Sequence, residues 1–151
     1  MKIFLDQNVY DAALERIGYL FDEFDEVLVS FSGGKDSTIV LNLCMEIAQR
    51  KNRLPLKVLF IDQEAEWNAV IEYARRVMTD PRVEPHCLQV PIKLFNATSM
   101  DDPWLHCWGE GEEWMREKET YSIHENTFKT ERFVPLFTKY INRVFEGRSV
   151  A

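Results

Sequence analysis

The sequence predicts an α/β fold: an open parallel sheet with helices on both faces, forming one domain over residues 1–151. Three observations carry that expectation. Short β-branched and aromatic runs alternate with stretches of helical period, in the order strand, helix, strand, helix, strand between residues 27 and 90. Parallel strands joined by helical crossovers are the arrangement this order most directly allows. A glycine pair, Gly33-Gly34, falls where the first strand hands over to its helix, the usual ligand position in such sheets.

The elements follow one another with clear boundaries. Asn8 or Asp6 caps a helix through about Phe24, with Val9, Ala13, Ile17, Leu20, Phe21 and Phe24 as its apolar stripe. Val27 to Phe31 reads as a buried strand ending at Ser32-Gly33-Gly34. Helical period returns from Asp36 to about Arg50, where Ile39, Val40, Leu43, Cys44, Ile47 and Ala48 cover so much of the circumference that the helix should be largely buried. Leu54-Pro55 breaks the chain, and Lys57 to Asp62 forms a second strand. A third helix is expected from about Glu64 to Met78, with Trp67, Val70, Ile71, Tyr73, Ala74 and Val77 as apolar positions, and Asp80-Pro81 stops it. Pro85 to Val90 is the third strand. These elements make a core over residues 1–93. Residues 94–127, with Trp104, Trp108 and Trp114, show no sustained period and read as an irregular insertion. A C-terminal helix over residues 128–147 carries Val134, Phe137, Tyr140, Ile141, Val144 and Phe145 at helical spacing, and Arg148 to Ala151 begins to look like a strand.

Charge and composition narrow the function. With 46% hydrophobic and 28% charged residues the chain has a globular balance. The net charge is −7, and residues 1–31 and 100–120 each hold 7 acids against 2 bases. Such a balance disfavours long-range attraction to DNA or RNA, so an anionic ligand must be held by a local device. No apolar run is long enough to span a bilayer, and the start, Met1-Lys2-Ile3-Phe4-Leu5-Asp6, lacks the features of a signal peptide. Three cysteines, Cys44, Cys87 and Cys107, make no disulfide framework and suit a reducing cytoplasm.

The segment Ser30-Phe31-Ser32-Gly33-Gly34-Lys35-Asp36-Ser37-Thr38 offers the local device. Adjacent glycines let the backbone turn sharply and approach a ligand with no Cβ in the way. The helix that follows points free amides and its positive dipole end at the turn. Ser32, Ser37 and Thr38 add hydroxyls, Lys35 a cation, and Asp36 a carboxylate able to hold Mg²⁺ against phosphate oxygens. This is not a Walker A loop, which needs glycine where Val29 stands and Ser or Thr where Asp36 stands, nor do the glycines have dinucleotide-fingerprint spacing.

Ser32-Gly33-Gly34-Lys35-Asp36-Ser37 resembles the Ser-Gly-Gly-x-Asp-Ser signature of the PP-loop ATP pyrophosphatase superfamily. The stretch from about Asp11 to Phe137, including Phe24-Asp25-Glu26, Asn96-Ala97-Thr98-Ser99 and the Trp108 region, is similar to the phosphoadenosine phosphosulfate (PAPS) reductase-like branch, and within it to immunoglobulin-binding-regulator-A-type proteins. The resemblance implies that amides of Gly33, Gly34 and Lys35, with the hydroxyls of Ser32 and Ser37, bind the α- and β-phosphates of ATP or a related adenine nucleotide. Ser30 and Thr38 flank them as further phosphate-binding candidates. Lys35 and Asp36 are the candidate catalytic residues, with Asp36 the Mg²⁺ ligand. Phe60 to Asp62 lies where relatives recognise adenine and ribose, so Phe60 and Asp62 join the nucleotide-binding set.

The implied activity is cleavage of the α–β phosphate bond of ATP, with transfer of adenylate to an unidentified acceptor. One alternative is a sulfonucleotide-binding sulfurtransferase-like or reductase-like domain. The reductive cysteine of relatives, in Glu-Cys-Gly-x-His, is absent, and no cysteine follows Cys107. A second alternative is a nucleotide-binding or interaction module without turnover. Relatives of the regulator type are often encoded beside a ParB-like nuclease-fold protein, which makes such a protein a candidate partner, and an exposed sheet edge would favour a homo-oligomer. Larger members continue past the position of Arg148 to Ala151, so the chain resembles an N-terminal portion or a short form. His86-Cys87, His106-Cys107 and His124 supply zinc-ligand types, but neighbours on a strand point to opposite faces and would not ligate together easily. Arg75 and Arg76 read as helix-surface charges in preference to phosphate ligands, and the Trp104, Trp108 and Trp114 cluster as packing of the insertion onto the domain in preference to stacking on a base or docking a partner.

Overall fold

A computed structural model describes residues 6–95, 101 and 104–125. The expected helix over residues 128–147, the Arg148–Ala151 fragment and Asn96 to Ser99 lie outside these residues. Within them the order is α1 (Val9–Glu23), β1 (Leu28–Ser30), α2 (Lys35–Arg50), β2 (Leu56–Ile61), α3 (Asn68–Met78), β3 (Val83–Leu88), β4 (Ile92–Phe95) and β5 (Trp104–Cys107). β1, β2 and β3 form a parallel sheet in that order, with Val29 opposite Val58 and Val58 opposite Pro85. This is the α/β parallel architecture that the alternating periods imply. At the carboxyl end of β3 the sheet gains one more partner: Ile123 donates to the Cys87 carbonyl at 2.7 Å, and Gln89 donates to the Ile123 carbonyl at 3.0 Å.

Alternation along the strands divides the sheet into two faces. Val29, Phe31, Leu56, Val58, Phe60, Val83 and Cys87 join Leu14 and Phe21 of α1, Leu41, Cys44, Met45, Ile47 and Ala48 of α2, and Ile71, Ala74 and Met78 of α3 in one buried cluster. Each large side chain removed from water here contributes about 1.5–3 kcal/mol. Both crossovers step the same way across the sheet, so right-handed connections bring α2 and α3 to the same face. Leu28, Ser30 and Ile61, on the other face, are exposed. Cover on both faces is expected from the sequence; among the described residues, the three helices all join the core on one face.

Local chemistry accounts for the ends. The Asn8 side chain accepts the Asp11 amide at 2.9 Å and caps α1. α2 ends in a Schellman turn: Asn52 takes the left-handed conformation, with φ 56°, and Arg53 donates to the Ala48 carbonyl at 2.8 Å. The Arg53 guanidinium then donates to the Phe21, Phe24 and Asp25 carbonyls, fastening the end of α1 beside the entry to β2.

Four expectations are corrected. Val9, Leu20 and Phe24 of the α1 stripe are exposed, and Leu14 and Phe21 carry that helix's burial. Ile39 and Val40 of α2 are exposed as well, because α1 lies over the later turns of α2, where Tyr10 donates to Glu46 and Lys51 pairs with Asp22. α3 starts at Asn68 and not near Glu64: Glu64 has φ 62°, which no α-helix accommodates, and Trp67 is 83% exposed. Residues 94–127 are not wholly irregular, since β4 and β5 pair antiparallel from Ile92–Cys107 to Phe95–Trp104.

Candidate nucleotide site at the carboxyl edge of the sheet

Parallel strands bring all their carboxyl ends to one edge, and there the Ser32–Ser37 loop sits between β1 and α2. The Phe31 amide still pairs with the Leu59 carbonyl at 2.8 Å, so the turn begins immediately afterwards. Gly33 has φ 75°, and a Cβ there would lie 2.6 Å from Cγ1 of Val70. Glycine at this position therefore serves both the left-handed turn and the close packing of the loop on α3.

α2 begins at Lys35 with Gly34 as its N-cap and no side-chain cap hydrogen bond. Its first amides thus meet no capping oxygen, and the positive end of the helix faces the turn. The hydroxyls are ordered around it. Ser37 Oγ donates to the Gly34 carbonyl at 3.0 Å, and Ser32 Oγ lies 3.0 Å from Ser37 Oγ, so Ser32 is the donor of that pair. The Ser32 amide also reaches Ser37 Oγ, at 3.3 Å. Thr38 Oγ1 donates to the Gly34 carbonyl at 2.8 Å, which spends its proton on the helix itself. Lys35 Nζ pairs with Asp36 at 2.7 Å, and both side chains stand in solvent, 86% and 84% exposed. Ser30, at the end of β1, is exposed on the face opposite the three described helices.

The two expected residues on β2 are placed differently. Phe60 is buried, its ring 6.1 Å from that of Phe31 within the core, so only its backbone can serve a ligand. Asp62 is also buried, and its carboxylate is fully engaged. It accepts the Glu64 amide at 2.8 Å and Gln89 Nε2 at 2.8 Å, and it forms an ion pair with Arg116. Its own amide donates to Leu88, and its carbonyl accepts the indole N–H of Trp108 at 2.8 Å. The Asp62 carboxylate, expected in the nucleotide-binding set, is thus turned to the protein's own donors.

Sequence reasoning missed the partners of Asp62. Glu64, buried, accepts the amides of Trp108 and of Met115, the latter at 2.8 Å, and its carbonyl accepts from Arg116. Gln89 Oε1 accepts the Glu119 amide at 2.6 Å and the Ser122 hydroxyl. Trp108 is wholly buried, lies edge-on to Trp114 with ring centroids 5.8 Å apart, and carries Arg116 over its face. Arg75 reaches Glu119 at 2.6 Å and ties α3 to the same segment, while Arg76 lies over the Tyr73 ring. The signal available was the short spacing Asp62-x-Glu64 at a strand end, which names no distant partner.

The thiols and imidazoles do not gather. Cys44, Cys87 and Cys107 are free and buried. Burial, reinforced by Asp62 and Glu119, pushes the Cys87 thiol up to about 12. Burial raises Cys44 and Cys107 also. His86 pairs with Glu84, and among the described residues no three His, Cys, Asp or Glu side chains are grouped to hold a metal. No described helix is long and apolar enough to cross a membrane.

Residues 26–133 match the family model for the phosphoadenosine phosphosulfate reductase domain. The chain is also 36% identical, over 130 residues, to the uncharacterized protein YbdN of Escherichia coli (strain K12). That alignment covers 84% of this chain and 32% of YbdN, so the chain spans about a third of the length of the curated relative it matches. No solved structure matches.

Proposed function

Because the chain belongs to the phosphoadenosine phosphosulfate reductase domain family, we propose that it binds an adenine nucleotide across the carboxyl edge of its sheet. The phosphates lie against the Ser32–Ser37 loop and the first turn of α2. The base and ribose extend toward the ends of β2 and β3. The observation that carries this reading is the glycine turn opening onto a 16-residue helix with no side-chain cap, a geometry suited to anions. An acidic chain must hold an anion by such local donors, since its net charge of −7 repels one at long range.

The nucleotide we favour is ATP with Mg²⁺. Asp36, solvent-facing on the first turn, suits a cation that takes one or two carboxylates and completes its shell with phosphate oxygens and water. Lys35 is then released from Asp36 to meet phosphate oxygens. When bound, Mg²⁺ supplies charge neutralisation at the phosphates. The loop amides orient the chain of phosphates and stabilise charge that builds on them as an acceptor attacks the α-phosphorus and pyrophosphate leaves, and the Ser32 hydroxyl joins them by turning its proton from Ser37 to a phosphate oxygen. A sulfonucleotide is the second reading, favoured by the family's description. It would be bound by the same donors, but the chain's own three thiols are buried and poorly disposed to become nucleophilic thiolates. Similarity to immunoglobulin-binding-regulator-A-type proteins also makes a ParB-like nuclease-fold protein the partner to test by co-purification.

Calorimetric titration with ATP, adenosine phosphosulfate and phosphoadenosine phosphosulfate, each with Mg²⁺, tests the reading. A dissociation constant of tens of micromolar or below, about −6 kcal/mol or better, for one of them supports it, and the preferred ligand selects between the two chemistries. Loss of pyrophosphate release in Asp36→Ala supports turnover of ATP. Silence for all three ligands with a folded chain refutes the nucleotide site.

A further inference from the structure

The carboxyl edge carries a second structure beside the phosphate loop: the buried polar hub that fastens residues 104–124 to the ends of β2 and β3. We propose that Asp62, Glu64 and Arg116 are positioning residues, which hold this segment as the base-side wall of the nucleotide site. The inference rests on the nucleotide reading above and adds a division of labour to it. The loop after β1 grips phosphate, and the clamped segment discriminates what the phosphate is attached to.

Position is the first argument. Neighbouring strands lie about 4.8 Å apart, and Asp62 leaves β2 one strand away from the Phe31–Ser32 turn, while Gln89 leaves β3 one strand further. The clamp therefore sets the segment along the same edge as the loop. The β2–α3 connection that bears Asp62 and Glu64 also bears the exposed Trp67 and leads into α3, whose Val70 touches the loop at Gly33. One connection thus meets the wall at one end and the phosphate turn at the other.

The kind of anchor is the second argument. Two buried carboxylates and a part-buried guanidinium stand where apolar side chains of similar volume would stabilise as well or better, because ions lose hydration as they are withdrawn from water. An ionic hub instead supplies direction. Glu64 fixes the amides of Trp108 and Met115, Asp62 fixes Arg116, and the Asp62 carbonyl fixes the Trp108 indole. Glu64 holds a left-handed backbone, with φ 62°, to do so, a conformation that persists only where its surroundings impose it. The indole so fixed meets Trp114 edge-on, and Lys118 lies over the rings of both, 5.6 Å and 4.3 Å from their centroids, so the orientation of Trp108 propagates to the half-exposed Trp114 surface.

Titration of the full chain with ATP and, separately, with inorganic pyrophosphate tests the division. Glu64→Gln keeps the side chain's shape but turns an amide N–H₂ toward a backbone N–H. It should weaken ATP binding by about tenfold, the loss of roughly one well-made contact, and leave pyrophosphate within about twofold. Trp108→Phe, which removes the indole donor to the Asp62 carbonyl together with part of the buried ring, should shift the same ratio in the same direction and serves if Glu64→Gln fails to fold. Faster amide hydrogen exchange confined to residues 104–124 should accompany either change. Equal weakening of both ligands, or unchanged ATP binding in a variant whose 104–124 amides exchange faster, overturns the positioning role. Failure of the unaltered chain to bind either ligand refutes the ATP reading on which the proposal rests.

Discussion

Replacing Gly33 with alanine puts the turn geometry to a direct test. Gly33 has φ 75°, and placing an L side chain in the left-handed region costs about 1–2 kcal/mol. The new Cβ would lie 2.6 Å from Cγ1 of Val70, closer than real contacts allow, so α3 or the loop must move. Overpacking of that kind costs about 1–3 kcal/mol. Together the two terms give roughly 2–5 kcal/mol, against a total stability of about 5–15 kcal/mol for a domain. At about 2–4 °C per kcal/mol for a chain of this size, the melting temperature should fall by roughly 4–20 °C. Thermal denaturation followed by circular dichroism measures it. Val70→Ala separates the terms, since removing Cγ1 relieves the clash and leaves the backbone cost. The double variant should therefore recover about 1 kcal/mol or more relative to additivity. An unchanged melting temperature in Gly33→Ala, or strictly additive effects with Val70→Ala, would refute the reasoning.

Other consequences are open to measurement. Asp80 accepts both the amide and the guanidinium of Arg82 at the entry to β3, and these hydrogen bonds hold its carboxyl down to about 2. Because the folded value lies below the unfolded one of about 3.9, the stability this pair adds is present above that pH and is lost as pH falls through about 2. Asp80→Asn should flatten the acid limb of the stability profile in that window. The three buried thiols, with Cys87 raised to about 12, should react slowly with iodoacetamide at pH 8 in the folded chain and quickly in denaturant. Fast labelling of the native protein would contradict their burial. Trp67, 83% exposed, should be replaceable by alanine with a change in stability of less than about 0.5 kcal/mol, and its loss should remove the most solvent-quenched part of the tryptophan emission.

What the sequence made legible is what is local in the chain. Alternating periods yield the three parallel strands and their helices because a strand or helix displays its buried face within a few residues. The glycine loop proposed to hold phosphate was legible for the same reason, since glycine turn, hydroxyls and helix start are consecutive. Two kinds of fact were not legible. Periodicity marks which residues are apolar but not where a neighbouring helix stops, so Ile39 and Val40 look core-like and lie beyond the reach of α1. The roles of Asp62 and Glu64 depend on Gln89, Trp108, Met115 and Arg116, residues 25 or more positions away whose segment has no strong period of its own. An acidic residue at a strand end one strand from a glycine loop of this kind invites assignment to a ligand, and the structure turns that carboxylate inward to an arginine. The distinction has a general physical basis. A carboxylate meant for a ligand must remain hydrated until the ligand arrives, and the exposed Asp36 meets that condition, whereas one sealed among hydrogen-bond donors, as Asp62 is, has already spent its acceptor capacity on the protein.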